Sequence, residues 1–117
     1  IGHGIVDQSV IRSRMEKKIR QLNKLQHEAE EDLARVKQEG FQAEENLRAG
    51  TGIESMLQRT ISEKKTEVKR IKQRLDELAT RKRREEKELD DHEHEQRILA
   101  IARANSDNPL RQKELLG

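Results

Sequence analysis

A chain of 117 residues that is 41% charged, 31% hydrophobic and 1% aromatic has too little apolar matter for a rounded core, so its core must be a narrow seam. A formal charge of only +2, together with Leu, Ile, Val and Met recurring at helical spacing, excludes wholesale disorder. The near balance of 25 Lys+Arg against 23 Asp+Glu leaves no overall field for nucleic acid or an anionic membrane, although the pI is about 9.0.

The chain contains no cysteine, hence neither a disulfide framework nor a thiol metal site, which favours a reducing compartment such as the cytosol. Its opening, IGHGIVDQ, lacks the basic and continuous apolar regions of a signal peptide, and no stretch approaches the roughly 18 apolar residues of a membrane span. A cytoplasmic segment is expected. Because it begins without Met, it reads as a fragment of a longer protein.

From Met15 onward a heptad frame places Ile19, Gln26, Leu33, Gly40 and Leu47 at a, with Met15, Leu22, Ala29, Val36 and Ala43 at d. This predicts one helix over about 8–49, roughly 60 Å long at 1.5 Å per residue, with Asp7 or Ser9 capping its start. Gly50-Thr51-Gly52 follows. The two glycines readily adopt positive φ, Gly50 suits a C-cap and Thr51 an N-cap, so a chain reversal is the economical reading. A second helix over about 53–104 then carries Leu57, Ile61, Val68, Ile71, Leu75, Leu78 and Leu89 at a and d, with Lys64, Lys82, Glu85 and His92 as polar intrusions.

A reversal near residue 52 predicts that facing residue numbers add to 104. Leu47 then meets Leu57, Ala43 meets Ile61, Val36 meets Val68, Leu33 meets Ile71, Ala29 meets Leu75 and Met15 meets Leu89, each an a residue against a d residue. Gly40 meets Lys64, whose stem gains a channel to water. Arg12–His92, Ile19–Glu85 and Leu22–Lys82 form polar layers that weaken the lower part.

Charge blocks agree with this register. Residues 28–45 carry seven acidic and two basic side chains, net −5, and face residues 59–76 with seven basic and three acidic, net +4. Residues 12–19, net +3, face 85–92, net −4. A parallel in-register homodimer would stack each block on itself. Among single pairs, Glu30 near Lys72 and Asp32 near Arg74 help, whereas Lys37 near Lys65 does not.

RKRREEKELDDHEHEQR, 81–97, offers only Leu89 as an apolar residue and reads as a solvated helical shaft. Apolar residues return in ILAIA, 98–102, level with Ile5, Val6 and Val10, which would close the base. NSDNP then stops the helix, with Asn108 and Pro109 as N-cap and first residue of a short helical PLRQKELL. The expected fold is therefore all-α: a long antiparallel coiled-coil helical hairpin over 1–104 and a short C-terminal helical or disordered tail over 105–117.

EGFQAEENLRAG, just before the turn, resembles the homology-region-one (Rho-effector-motif) repeat, whose first helix ends in Lys-x-Gly-Ala-Glu-Asn-Leu. Lys37, Gly40, Ala43, Glu45, Asn46 and Leu47 supply comparable residue types in the same order, and SEKKTEVKRIKQRLDEL looks like the returning helix. The resemblance covers roughly residues 25–80. In departure from the family pattern, Phe41-Gln42 separates Gly40 from Ala43, and an extra glutamate precedes Asn46. It implies an antiparallel coiled-coil finger that binds the GTP-loaded switch surface of a Rho-family small GTPase without chemistry of its own. The partner-binding candidates are Phe41, Glu45, Asn46, Arg48, Met56, Lys65, Lys69 and Lys72. Independently of any family, Phe41, Ile53 and Met56 lie off the seam near the tip, which suggests either contact with a partner or cover by a terminal segment or second copy.

Other chemistry finds little support. His3, His27, His92 and His94 make no ligand set, since His92 and His94 at i,i+2 point to different helix faces, and no metal or cofactor is expected. Glu85-Glu86 and Asp90-Asp91 lack a pocket of converging groups, so no enzyme is expected. GTG lacks the Gly-Lys-Ser/Thr of a phosphate loop. The basic cluster Lys64, Lys65, Lys69, Arg70, Lys72 and Arg74 lacks stacking aromatics and faces an acidic block, which argues against nucleic acid. The remaining alternative is a structural coiled coil that homodimerises a cytoskeletal or trafficking scaffold.

Overall fold

The computed structural model describes residues 7–106. Two helices account for nearly all of them, α1 (Gln8–Ala49, 42 residues) and α2 (Glu54–Asn105, 52 residues), packed on each other as an antiparallel hairpin. Ile5, Val6, His3, Asn108, Pro109 and the expected terminal helix lie outside the described residues.

Asp7, rather than Ser9, caps α1. Its carboxylate accepts hydrogen bonds from the Ser9 amide (2.9 Å) and the Ser9 hydroxyl (2.8 Å), while its carbonyl accepts from the amides of Val10 and Ile11. The Ser9 amide, followed by the Ser9 hydroxyl, lowers the Asp7 carboxyl pKa.

The chain forms two compact units by internal packing, one of Ile19–Arg83 and one combining the two chain ends. In the first, the buried side chains are Leu22, Ala29, Val36, Ala43 and Leu78, all at seam positions, and Val36 is completely buried. Leu22, Ala29 and Leu78 cluster with Leu25, Ile71 and Leu75. Leu25 is a flanking position in the heptad frame, and its participation was not expected. Leu22, which the frame sets against Lys82, nevertheless remains buried because this cluster covers it.

The turn caps the end of α1. The Gly50 amide donates to the Leu47 carbonyl (3.2 Å) and the Thr51 amide to the Asn46 carbonyl (2.9 Å), the two bonds of a Schellman motif, with Gly50 at φ 70°. Thr51 does not cap α2 as expected. Its hydroxyl donates to the same Asn46 carbonyl at 3.2 Å, so it closes α1. The residue at the N-cap of α2 is Ile53, whose carbonyl accepts from the Leu57 amide and whose side chain has no oxygen to offer the free amides of the first turn. Gly52, at φ 96°, lies against Leu57: a Cβ there would meet its Cδ1 at 3.4 Å.

In the unit of the chain ends, Gln96 donates to Gln8 at 3.2 Å, in agreement with the expected register. Arg12 departs from its expected layer with His92 and instead reaches Glu93 at 3.1 Å and Glu16 at 3.0 Å, because its long side chain extends past the facing position to a carboxylate. Glu85 keeps one carboxylate oxygen buried without a hydrogen-bond partner among the described residues. Val10, Ile98, Leu99 and Ile101 are all exposed. Of the expected base-closing contacts, Ile5 and Val6 therefore fall outside the described residues, and Val10 is not buried.

Gly50→Ala should lower stability by about 1 kcal/mol because an L side chain is strained in the left-handed region, and Gly52→Ala by at least as much. Thermal unfolding followed by circular dichroism would measure both. Glu85→Leu should act in the opposite direction by about 1 kcal/mol, since it removes a buried unsatisfied oxygen and adds apolar area. Nitroxide labels at positions 33 and 71 should report a separation near one interhelical spacing of about 10 Å, broadened by the label linkers.

Candidate functional site

Gly40 organises the surface below the turn. A Cβ on Gly40 would meet the Lys64 Cβ at 3.3 Å, so the missing side chain lets the lysine stem cross the seam at this level. Its ammonium then reaches Glu39 at 2.6 Å and Glu67 at 3.6 Å on the far side. The Glu39 bond raises the Lys64 pKa, and the Lys64 bond lowers that of Glu39.

On the near side the stem of Lys64 and Gly40 border a groove of about 250 Å³. Val36, Ile61 and Val68 contribute apolar lining, and Phe41, Lys37, Glu44 and Lys65 flank it. Phe41 is 52% exposed. Lys69 and Lys72 continue the stripe of Lys65 along α2 at i+4 and i+7, and Arg48 continues that of Phe41 on α1 at i+7. Five of the eight candidate residues, Phe41, Arg48, Lys65, Lys69 and Lys72, thus share one face.

The other three do not join them. Met56 stands nine residues before Lys65, half a revolution away, and is exposed with Ile53 on the face of Glu67. Asn46 lines a second cleft at the tip with Gly50, Gly52 and Leu57. Its carbonyl is committed to the cap and its side chain accepts from Gln42 at 3.1 Å. Glu45 lies at the back of α1, paired with Arg48 at 3.1 Å. Proximity to the tip favours Met56 and the motif resemblance favours Glu45 and Asn46, but heptad positions place them on different faces.

The charge blocks produce fewer direct pairs than the sequence suggests. Ion pairs between α1 and α2 include Lys64–Glu39 and Arg12–Glu93, whereas Asp32 pairs along its own helix with Arg35 at 3.5 Å. Among the described residues neither Lys37 nor Lys65 is in an ion pair.

Among the described residues no three His, Asp or Glu side chains are arranged to hold a metal ion, and no helix is long and apolar enough to cross a membrane. No protein-family model, curated protein or solved structure matches the chain.

Glu39 should titrate below an ordinary glutamate in a carbon-detected pH titration, and Lys64→Met should return it toward the ordinary value. With the folded Glu39 pKa depressed, its stabilising contribution is present above the unfolded glutamate pKa and is lost as pH falls through the folded one. With the folded Lys64 pKa raised, its contribution is full below the unfolded lysine pKa and is lost as pH rises through the folded one.

Proposed function

We propose that this chain is a non-enzymatic protein-binding module, a Rho-family small GTPase-binding coiled-coil finger of a cytoplasmic signalling or cytoskeletal protein. The observation that carries the binding role is the conjunction of the exposed Phe41 with Lys65 at an open groove, the stripe of Lys65 continuing through Lys69 and Lys72 on the same face. An exposed aromatic beside cations fits a partner surface that is apolar at its centre and acidic at its rim. The GTPase assignment rests on the resemblance of Lys37, Gly40, Ala43, Glu45, Asn46 and Leu47 to the homology-region-one pattern.

Ile53 adds support for contact at the tip. A helix start favours Ser, Thr, Asp or Asn at this position, yet the chain carries an isoleucine that is 62% exposed and neither caps nor packs into a core. Such a local conflict is expected where binding competes with stability.

A second reading, a homodimerising scaffold coiled coil, draws on the exposure of Ile98, Leu99 and Ile101. Mass in solution discriminates: a species of 13.7 kDa favours the self-contained finger, and a tight dimer favours scaffolding.

Capture of Rho-family GTPases loaded with GDP or a non-hydrolysable GTP analogue should favour the GTP form. Equal retention of the two would remove the effector role. Ile53→Asp should raise stability by about 1 kcal/mol through capping. If the tip takes part, the same variant should weaken capture; undiminished capture would remove Ile53 from the interface.

A further inference from the structure

We infer that the groove beside Gly40 receives an acidic amphipathic helix of the partner, with one apolar side chain in the notch and carboxylates along the lysine stripe. This deepens the protein-binding reading and rests on it, but not on the identity of a GTPase.

The floor selects an apolar group. Ile61, Val68 and the stem of Lys64, which packs over Gly40, line a shallow groove above the completely buried Val36, and Phe41 extends its apolar wall into solvent. The volume of about 250 Å³ accommodates a leucine-sized side chain with room for part of its backbone.

The rim selects negative charge. Lys37 and Lys65 border the same groove from opposite helices, and neither is in an ion pair among the described residues. Two like charges held together by the register are unfavourable to each other, and a carboxylate placed between them converts repulsion into two attractions. Lys64 is not part of this rim chemistry, since its ammonium is held by Glu39 and Glu67 on the far side. Glu44 also lines the groove and disfavours carboxylates at the end nearer the turn, which places the acidic stretch toward Lys69 and away from the tip.

The spacing selects a helix. Lys65, Lys69 and Lys72 recur at i, i+4 and i+7, so their heads advance along α2 at the helical rise. A partner helix laid in the groove between α1 and α2 advances at the same rate. Leucine at one position followed by glutamates at i+4 and i+7 matches the notch, the Lys37–Lys65 pair and Lys69 in turn.

The test uses a fluorescein-labelled, hydrocarbon-stapled helical peptide bearing Leu, Glu and Glu at i, i+4 and i+7, titrated onto the full chain by anisotropy. Saturable binding that weakens with added salt is expected. Lys37→Glu with Lys65→Glu should weaken it at least tenfold, and a peptide with both glutamates changed to lysine should recover it on that double variant. Replacing the peptide leucine by alanine should also weaken binding at least tenfold, and this change leaves the fold of the chain untouched.

Absence of saturable binding, or equal binding to the double variant, would overturn the inference. Nucleotide-dependent GTPase capture that survives Lys37→Glu/Lys65→Glu would leave the GTPase reading standing and overturn the groove. Peptide binding with the expected losses, but no GTPase captured, would support the groove and remove the GTPase.

Discussion

The constraint on which the structure depends is that a single strip of side chains joins α1 and α2. No second layer shields it. Ala29 and Ala43 let the backbones approach, while Leu22, Val36 and Leu78 fill the remaining space, and these five make up the buried apolar set. Full burial of an aliphatic side chain stabilises by roughly 1.5–3 kcal/mol, so every seam position occupied by something else matters. Gly40 facing Lys64 is the most economical exception. The two residues jointly occupy one layer, and the ammonium emerges to carboxylates rather than remaining buried. Glu85 is the costlier exception, because one of its oxygens has no partner to compensate for lost water.

The turn shows how differently the two helix ends are treated. α1 ends with both Schellman bonds, a left-handed glycine and a threonine hydroxyl that also donates to the Asn46 carbonyl. α2 begins with Ile53 and an acidic Glu54 in its first turn, which favours the helix dipole but leaves the amides without a side-chain acceptor from the N-cap. Capping energy is thus spent on stopping the first helix. The exposed isoleucine at the next start contributes nothing comparable to the fold, which is why its presence there bears on recognition.

Most of the architecture was legible in the sequence because alternating aliphatics on each arm admit one mutual register. Gly40 with Lys64 and Gln8 with Gln96, in separate units, both obey it. Legibility failed where a long or hydroxylated side chain had a choice within one turn. Arg12 passed over His92 for Glu93, Asp32 chose Arg35 on its own helix, and Thr51 bonded backward to Asn46 instead of forward. A heptad letter gives the direction of a Cβ, not the reach of the atoms beyond it. The candidate site was legible for the same reason only in part. The common stripe of Phe41 with the lysines follows from helical periodicity, whereas Asn46 was nominated by motif and is occupied by the cap.

In a chain with one phenylalanine and so few large apolar residues, those left outside the seam carry unusual weight. Phe41 and Met56 are both more than half exposed and neither belongs to the buried set. They occupy opposite faces, so a partner engaging the groove beside Phe41 leaves the Met56 and Ile53 face available. The two faces also differ in electrostatics. Lys37, Lys65, Lys69 and Lys72 surround the first, while Glu39 and Glu67 on the second are already neutralised in part by the ammonium of Lys64. Exposed charges accelerate and orient encounter more than they hold a complex together, whereas desolvated apolar anchors set its lifetime. By that division the lysine stripe favours the Phe41 face for first encounter with an acidic partner, and the groove beside Phe41 provides the place where one of its side chains can be buried.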